Sequence, residues 1–191
     1  MINTKRIAYE EIRSSVPCAQ VYEAIKHVNA LFANEEFYER IADHADFEQA
    51  DISPESIAAL MRKARLDMSI DLYYALNPLR NIDGYDDVRN PSVIHMNLWK
   101  IDRPVASLCN SMVHATVHAV NAFYDRCYFG HGNIPELSKQ LTAPYAIGAI
   151  AERMISNSES PILLMEHDFF EAPKKGAKDA AIATFGIGAI A

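Results

Sequence analysis

Between Asp102 and about Asp125 runs the longest helical periodicity in the chain, opening at Pro104 and carrying Leu108, Met112, Val113, Val117, Val120 and Phe123 at three- and four-residue spacings. Down one side lies a polar stripe of Asn110, His114, His118, Asn121 and Asp125, while the flanking faces are almost wholly apolar. A buried polar group without a partner costs about 2–7 kcal/mol, depending on the reference state. Such a stripe inside a greasy helix therefore points to the lining of a site rather than an idle strip of core.

The rest of the chain supplies enough material to enclose that helix. Half of its 191 residues are hydrophobic, sufficient for one substantial core, and the length suits a single domain, 1–191. Apolar content of this size also offsets the entropy of ordering and argues against intrinsic disorder. The formal net charge of -7, with no basic stripe, counts against a general affinity for nucleic acid, which needs clustered Lys and Arg. Cys18, Cys109 and Cys127 are odd in number and far apart, so they form neither a disulfide framework nor a cysteine zinc ribbon, and reduced thiols are expected. The opening MINTKRIAYEEIRSS lacks the apolar centre of a secretory signal, and no stretch approaches the ~18 apolar residues of a membrane span. The chain reads as soluble where it is made. Near its end Lys174, Lys175 and Lys178 precede AAIATFGIGAIA, read as a buried tail, with an interfacial segment or the start of a membrane helix as alternatives.

Further helices are expected from Cys18 to about Ala33, where Val21, Ile25, Val28, Leu31 and Phe32 recur behind Pro17, and more briefly from Phe37 to Ala45. Another opens at Ser53, a capping hydroxyl followed by Pro54, and is predicted to run through Ile57, Leu60, Met61, Ala64 and Met68 towards Tyr74. Asn77 to Pro91 reads as loop with room for one short extended piece, Ser92 to Trp99 as a strand, the glycine-rich start of Tyr128 to Thr142 as loop, and Ala143 to Ile155 as a last helix. The fold class is thus α+β, mostly α-helical, with a small sheet: a helical part over 1–75, a core carrying the site over 92–155, and the tail 174–191.

His114 and His118 are four residues apart, which sets both imidazoles on one helix face a turn from each other, as two ligands of one tetrahedral zinc require. The plainer reading is a half-exposed helix face. In CYFGHGN, Gly130 and Gly132 flank His131 and give the backbone freedom to return that ring towards the helix, completing a three-histidine set that keeps a fourth position open. A solvent-exposed turn residue is the alternative for His131, and Asp125 and Glu152 are rival third ligands. Asn121 and Asp125 are candidates to hold an imidazole tautomer from behind. His27, His44 and His167 show no ligand-like spacing and read as surface or helix-end residues.

The run VIHMN, a short connector and SLCNSMVHATVHAV resembles the edge strand and active-site helix of the zincin metallopeptidases, whose signature is His-Glu-x-x-His. The resemblance covers about a third of the chain. It implies a Zn²⁺ cofactor on His114, His118 and His131, a peptide or protein substrate, and an edge strand on which His95 and Asn97 line the cleft. Either of those side chains equally suits a solvent-facing position. Ala115 stands where the family has the glutamate that takes a proton from water and passes it to the leaving amine. A methyl group does neither, so this form is expected to be inactive or slow, by ~10²–10⁴-fold or more. Ala115 fits a Glu→Ala replacement that silences a protease, or a line that kept its metal after losing catalysis; the intact stripe favours the first. Tyr145, just after Pro144, offers a hydroxyl to an oxyanion, or simply packs at a helix start. The third-ligand spacing and Met-turn of metzincins and the second helix motif of gluzincins are missing, which leaves the subfamily open. Small size and acidic charge suit a toxin or effector delivered by a dedicated secretion machine and held by an inhibitor or immunity protein. Two rivals stand beside this reading: a non-catalytic helical interaction protein with a structural zinc, and a zinc amidase acting on cell-wall peptides.

Overall fold

The structure, a computed structural model, describes residues 7–12, 18–76, 84–86, 89–132, 139–156 and 169–171. In chain order these give β1 (Ala8–Ile12), α1 (Ala19–Phe32), α2 (Glu35–Ala42), α3 (Pro54–Lys63), β2 (Asp67–Tyr73), β3 (Gly84–Asp86), β4 (Val93–Asn97), a 3-10 turn (Leu98–Lys100), α4 (Val105–Phe123), α5 (Ala143–Ser156) and β5 (Phe169–Glu171). The fold is α+β with a small sheet, in which β1, β2 and β4 run parallel side by side. β3 pairs antiparallel with β4 and parallel with β5.

Local chemistry sets the starts of α2 and α3. Asn34 caps α2 by accepting the Glu36 N–H at 3.0 Å, and Ser53 caps α3 with Pro54 behind it, accepting the Ser56 N–H. The stop of α3 differs from the expectation. The helix does not continue to Tyr74; it ends at Lys63, Ala64 turns to an extended conformation, and Asp67–Tyr73 becomes β2. Met68 sits four residues after Ala64 and so mimics a helical repeat, but the pairing of Asp67 with Ala8 and of Ser69 to Tyr73 with Val93 to Asn97 decides the state, a tertiary term no local spacing reports. The long helix is also shorter than its periodicity, stopping at Phe123.

The core is built around α4, in which every residue from Ser107 to Asn121 is buried. On one side Tyr9 of β1 reaches it, its hydroxyl lying 2.7 Å from the Met112 carbonyl and 2.8 Å from Thr116 Oγ1. Ile70, Leu72, Ile94 and Met96 present the sheet's inner face to the same core. On another side α5 crosses closely, because Gly148 has no side chain: a Cβ there would overlap Asn110 Oδ1 and lie 3.1 Å from the Asn110 carbonyl oxygen. Among the described residues no helix is long and apolar enough to cross a membrane. The tail from Lys174, like Pro17 and His167, lies outside the described residues.

Candidate metal centre

Four residues of helix place His114 and His118 one turn apart, and their rings sit 5.0 Å between centroids with the two Nε2 atoms 3.2 Å apart. Beyond the end of α4 the chain doubles back. Asn121 shapes the return with a single amide, its Nδ2 donating to the Cys127 carbonyl at 2.9 Å and its Oδ1 accepting from the Phe129 N–H at 3.3 Å. Phe129 is fully buried and anchors the turn. Gly130 follows because a Cβ there would come within 2.9 Å of the Tyr128 hydroxyl, and Gly132 adopts a φ of +52°, a region side chains rarely enter.

That path delivers His131 to the helical pair. Its ring lies 4.7 Å from that of His118 and 5.6 Å from that of His114. All three histidines are buried, and one ligand atom from each lies within 4.8 Å of the others. His131 Nδ1 is 3.1 Å from the Gly132 carbonyl. A carbonyl only accepts, so Nδ1 carries the proton and Nε2, itself buried, carries the lone pair that a cation needs. Two ligands of a tetrahedral zinc stand about 3.3 Å apart, from Zn–N bonds of about 2.0–2.1 Å, close to the spacing of the helical pair. Three imidazole nitrogens, with the tautomer of His131 fixed, suit a transition metal such as zinc better than calcium or magnesium, which take oxygen.

Tyr145, at the start of α5, stands edge-on to His114 with ring centroids 4.5 Å apart and 5.4 Å from His131. It therefore belongs to the site. No protein-family model, curated protein or solved structure matches this chain. What the site can do is read from its own atoms.

Four sequence expectations take other places. Asp125 lies beyond the last residue of α4 and is exposed, so the stripe ends at Asn121 and Asp125 neither ligates nor supports a ligand. Asn121 supports the site through loop backbone rather than through an imidazole. Glu152 is outside the histidine group, and its Oε2 accepts from Asn110 Nδ2 at 2.7 Å. His95 and Asn97 share the sheet face opposite Ile94 and Met96: His95 Nδ1 pairs with Asp71 at 2.9 Å, and Asn97 Oδ1 takes the N–H groups of Ala75 and Trp99. Strand alternation thus turns both from the face that carries Ile94 and Met96, and His95 is not in the histidine group.

His27 is exposed and His44, just past the end of α2, is half-buried; neither joins the histidine group. Ala115 is buried in the apolar core, one residue round the helix from His114. No cysteine joins the histidine group among the described residues; burial, reinforced by the charge of Glu152, pushes the Cys109 thiol up to about 12, and burial with Asp51 and Asp125 raises that of Cys127. Thiolate is the form that binds metal, and a raised pKa disfavours it.

Proposed function

We propose that His114, His118 and His131 hold a zinc ion and that the chain is a zinc hydrolase framework of zincin type, acting on peptide bonds, with its general base absent at Ala115. The observation that carries this reading is the arrival of three buried imidazoles, from two turns of α4 and one glycine-flanked bend, within 4.8 Å of one another. When bound, such an ion supplies Lewis acidity that polarises a carbonyl and eases loss of a proton from water.

The protein's own groups do the rest. The Gly132 carbonyl holds the Nδ1 proton of His131 and so keeps Nε2 turned to the pair. Burial of the rings excludes bulk water and strengthens each electrostatic contact. Tyr145, whose ring lies against His114 and His131, is the candidate hydroxyl donor to a developing oxyanion. Ala115 accepts no proton, and among the described residues no carboxylate joins the three histidines, so turnover stays low.

A second reading, a zinc that staples the loop to the helix without catalysis, draws on one observation: Ala115 packs in the apolar core. Metal analysis of the purified chain and a peptide-hydrolysis assay on Ala115→Glu separate the two. One zinc per chain with new hydrolysis supports the enzyme, zinc without hydrolysis supports the staple, and absence of bound zinc after reconstitution sinks both.

A further inference from the structure

The loop that brings His131 home is gripped at both ends by a segment far away in sequence. Between α2 and α3 the chain passes through Phe47, Glu48, Gln49, Ala50 and Asp51. The Glu48 N–H donates to the Leu141 carbonyl at 3.0 Å, and Glu48 forms a parallel bridge with Thr142. The Asp51 N–H donates to the Tyr128 carbonyl at 2.9 Å, and Asp51 Oδ1 accepts from the Tyr128 N–H at 2.7 Å. Phe47 is buried beneath this brace, with His44 stacked on it at 4.6 Å.

Tyr128 is therefore clasped on both its backbone groups by one residue, while its neighbours Cys127 and Phe129 are held from the other side by Asn121. The ring of Tyr128 in turn lies over Gly130, beside His131. Between the two grips of the brace, Gln49 adopts a φ of 64°, a left-handed conformation rare for a residue with a Cβ, which surrounding bonds must hold in place. The Asp51 carboxylate makes a short, solvent-exposed and charge-assisted contact with the Tyr128 N–H.

We propose that Asp51 is a positioning residue for the metal centre, fixing through Tyr128 the approach of His131 to His114 and His118. This rests on the zinc reading above. Without the Asp51 carboxylate the bend loosens, and a loosened third ligand weakens the ion's hold while leaving the helical pair intact.

The test titrates Co²⁺ into the full chain and follows its visible absorption, with melting of the metal-free protein measured in parallel, for wild type, Asp51→Ala and Asp51→Asn. The expected result is a roughly tenfold loss of Co²⁺ affinity for Asp51→Ala, the scale of one charge-assisted hydrogen bond, with an altered band. Asp51→Asn, whose amide oxygen accepts the same bond, recovers the wild-type spectrum. An Asp51→Ala protein with wild-type affinity and spectrum overturns the proposal, whether or not its melting temperature falls. Wild type that takes up no Co²⁺ overturns the metal reading itself, and the proposal with it.

Discussion

Placing alanine at Gly148 sets two opposed effects against each other at the crossing of α4 and α5. Alanine favours a helix over glycine by about 0.8–1 kcal/mol, so on an open face the change would stabilise. Here the new Cβ falls inside Asn110 Oδ1, with Asn110 Cγ at 3.2 Å and the carbonyl oxygen at 3.1 Å. The backbone contact can be relieved by a few tenths of an ångström; the amide must rotate away, and with it goes the 2.7 Å bond from Asn110 Nδ2 to Glu152. A hydrogen bond to a charged group contributes about 1.5–3 kcal/mol. The net is a loss of roughly 0.5–2 kcal/mol, or about 1–8 °C in melting temperature at this chain length. In an Asn110→Ala background the side-chain clash is gone and the same substitution becomes neutral or stabilising. Thermal melts of wild type, both single variants and the double variant read the cycle directly. Gly148→Ala that stabilises the wild type, or that costs the same in both backgrounds, refutes the close-crossing argument.

Zinc at ~1,000 times its dissociation constant should stabilise the chain by about 4 kcal/mol, raising the melting temperature by roughly 8–16 °C, and His118→Ala should abolish the shift. Calorimetry with and without chelator checks it. Alkaline pH should unsettle the fold through Cys109, whose thiol stands at about 12 in the folded chain against an ordinary value of 9.0. Because the folded value is the higher one, the folded state holds the proton more tightly, so this stabilisation is complete below about pH 9 and is lost as pH climbs towards 12. Urea midpoints between pH 8 and pH 11 should fall less steeply for Cys109→Ala than for wild type.

Much of the helical frame could be read from local chemistry, because its signals are local. Asn34 and Ser53 act within three residues of themselves, and the pairing of His114 with His118 needs only one turn of helix. His131 was legible for a different reason, since flanking glycines mark a backbone that must bend sharply. What stayed hidden was set by partners distant in the chain. β1 and β2 are strands because they pair with each other and β2 with β4, and Met68 looked helical until that pairing was known. Asp125 continued the four-residue rhythm on paper, but α4 ends before it. Asp51 gave no sign of its role, as its contact with Tyr128 spans 77 positions. Asn97, read as cleft-lining, turned out to hold the 3-10 turn after β4.

The hydroxyl of Tyr9 on the Met112 carbonyl joins groups 103 positions apart, and among the described residues β1 has β2 alone for a strand neighbour. β1 can pair with β2 as soon as β2 has been made, but the Tyr9 hydroxyl has no acceptor on α4 until Met112 has followed. Contacts this distant in sequence form slowly, so docking of β1 on α4 is a late step of folding, an expectation that pulse-labelled hydrogen exchange during refolding can time.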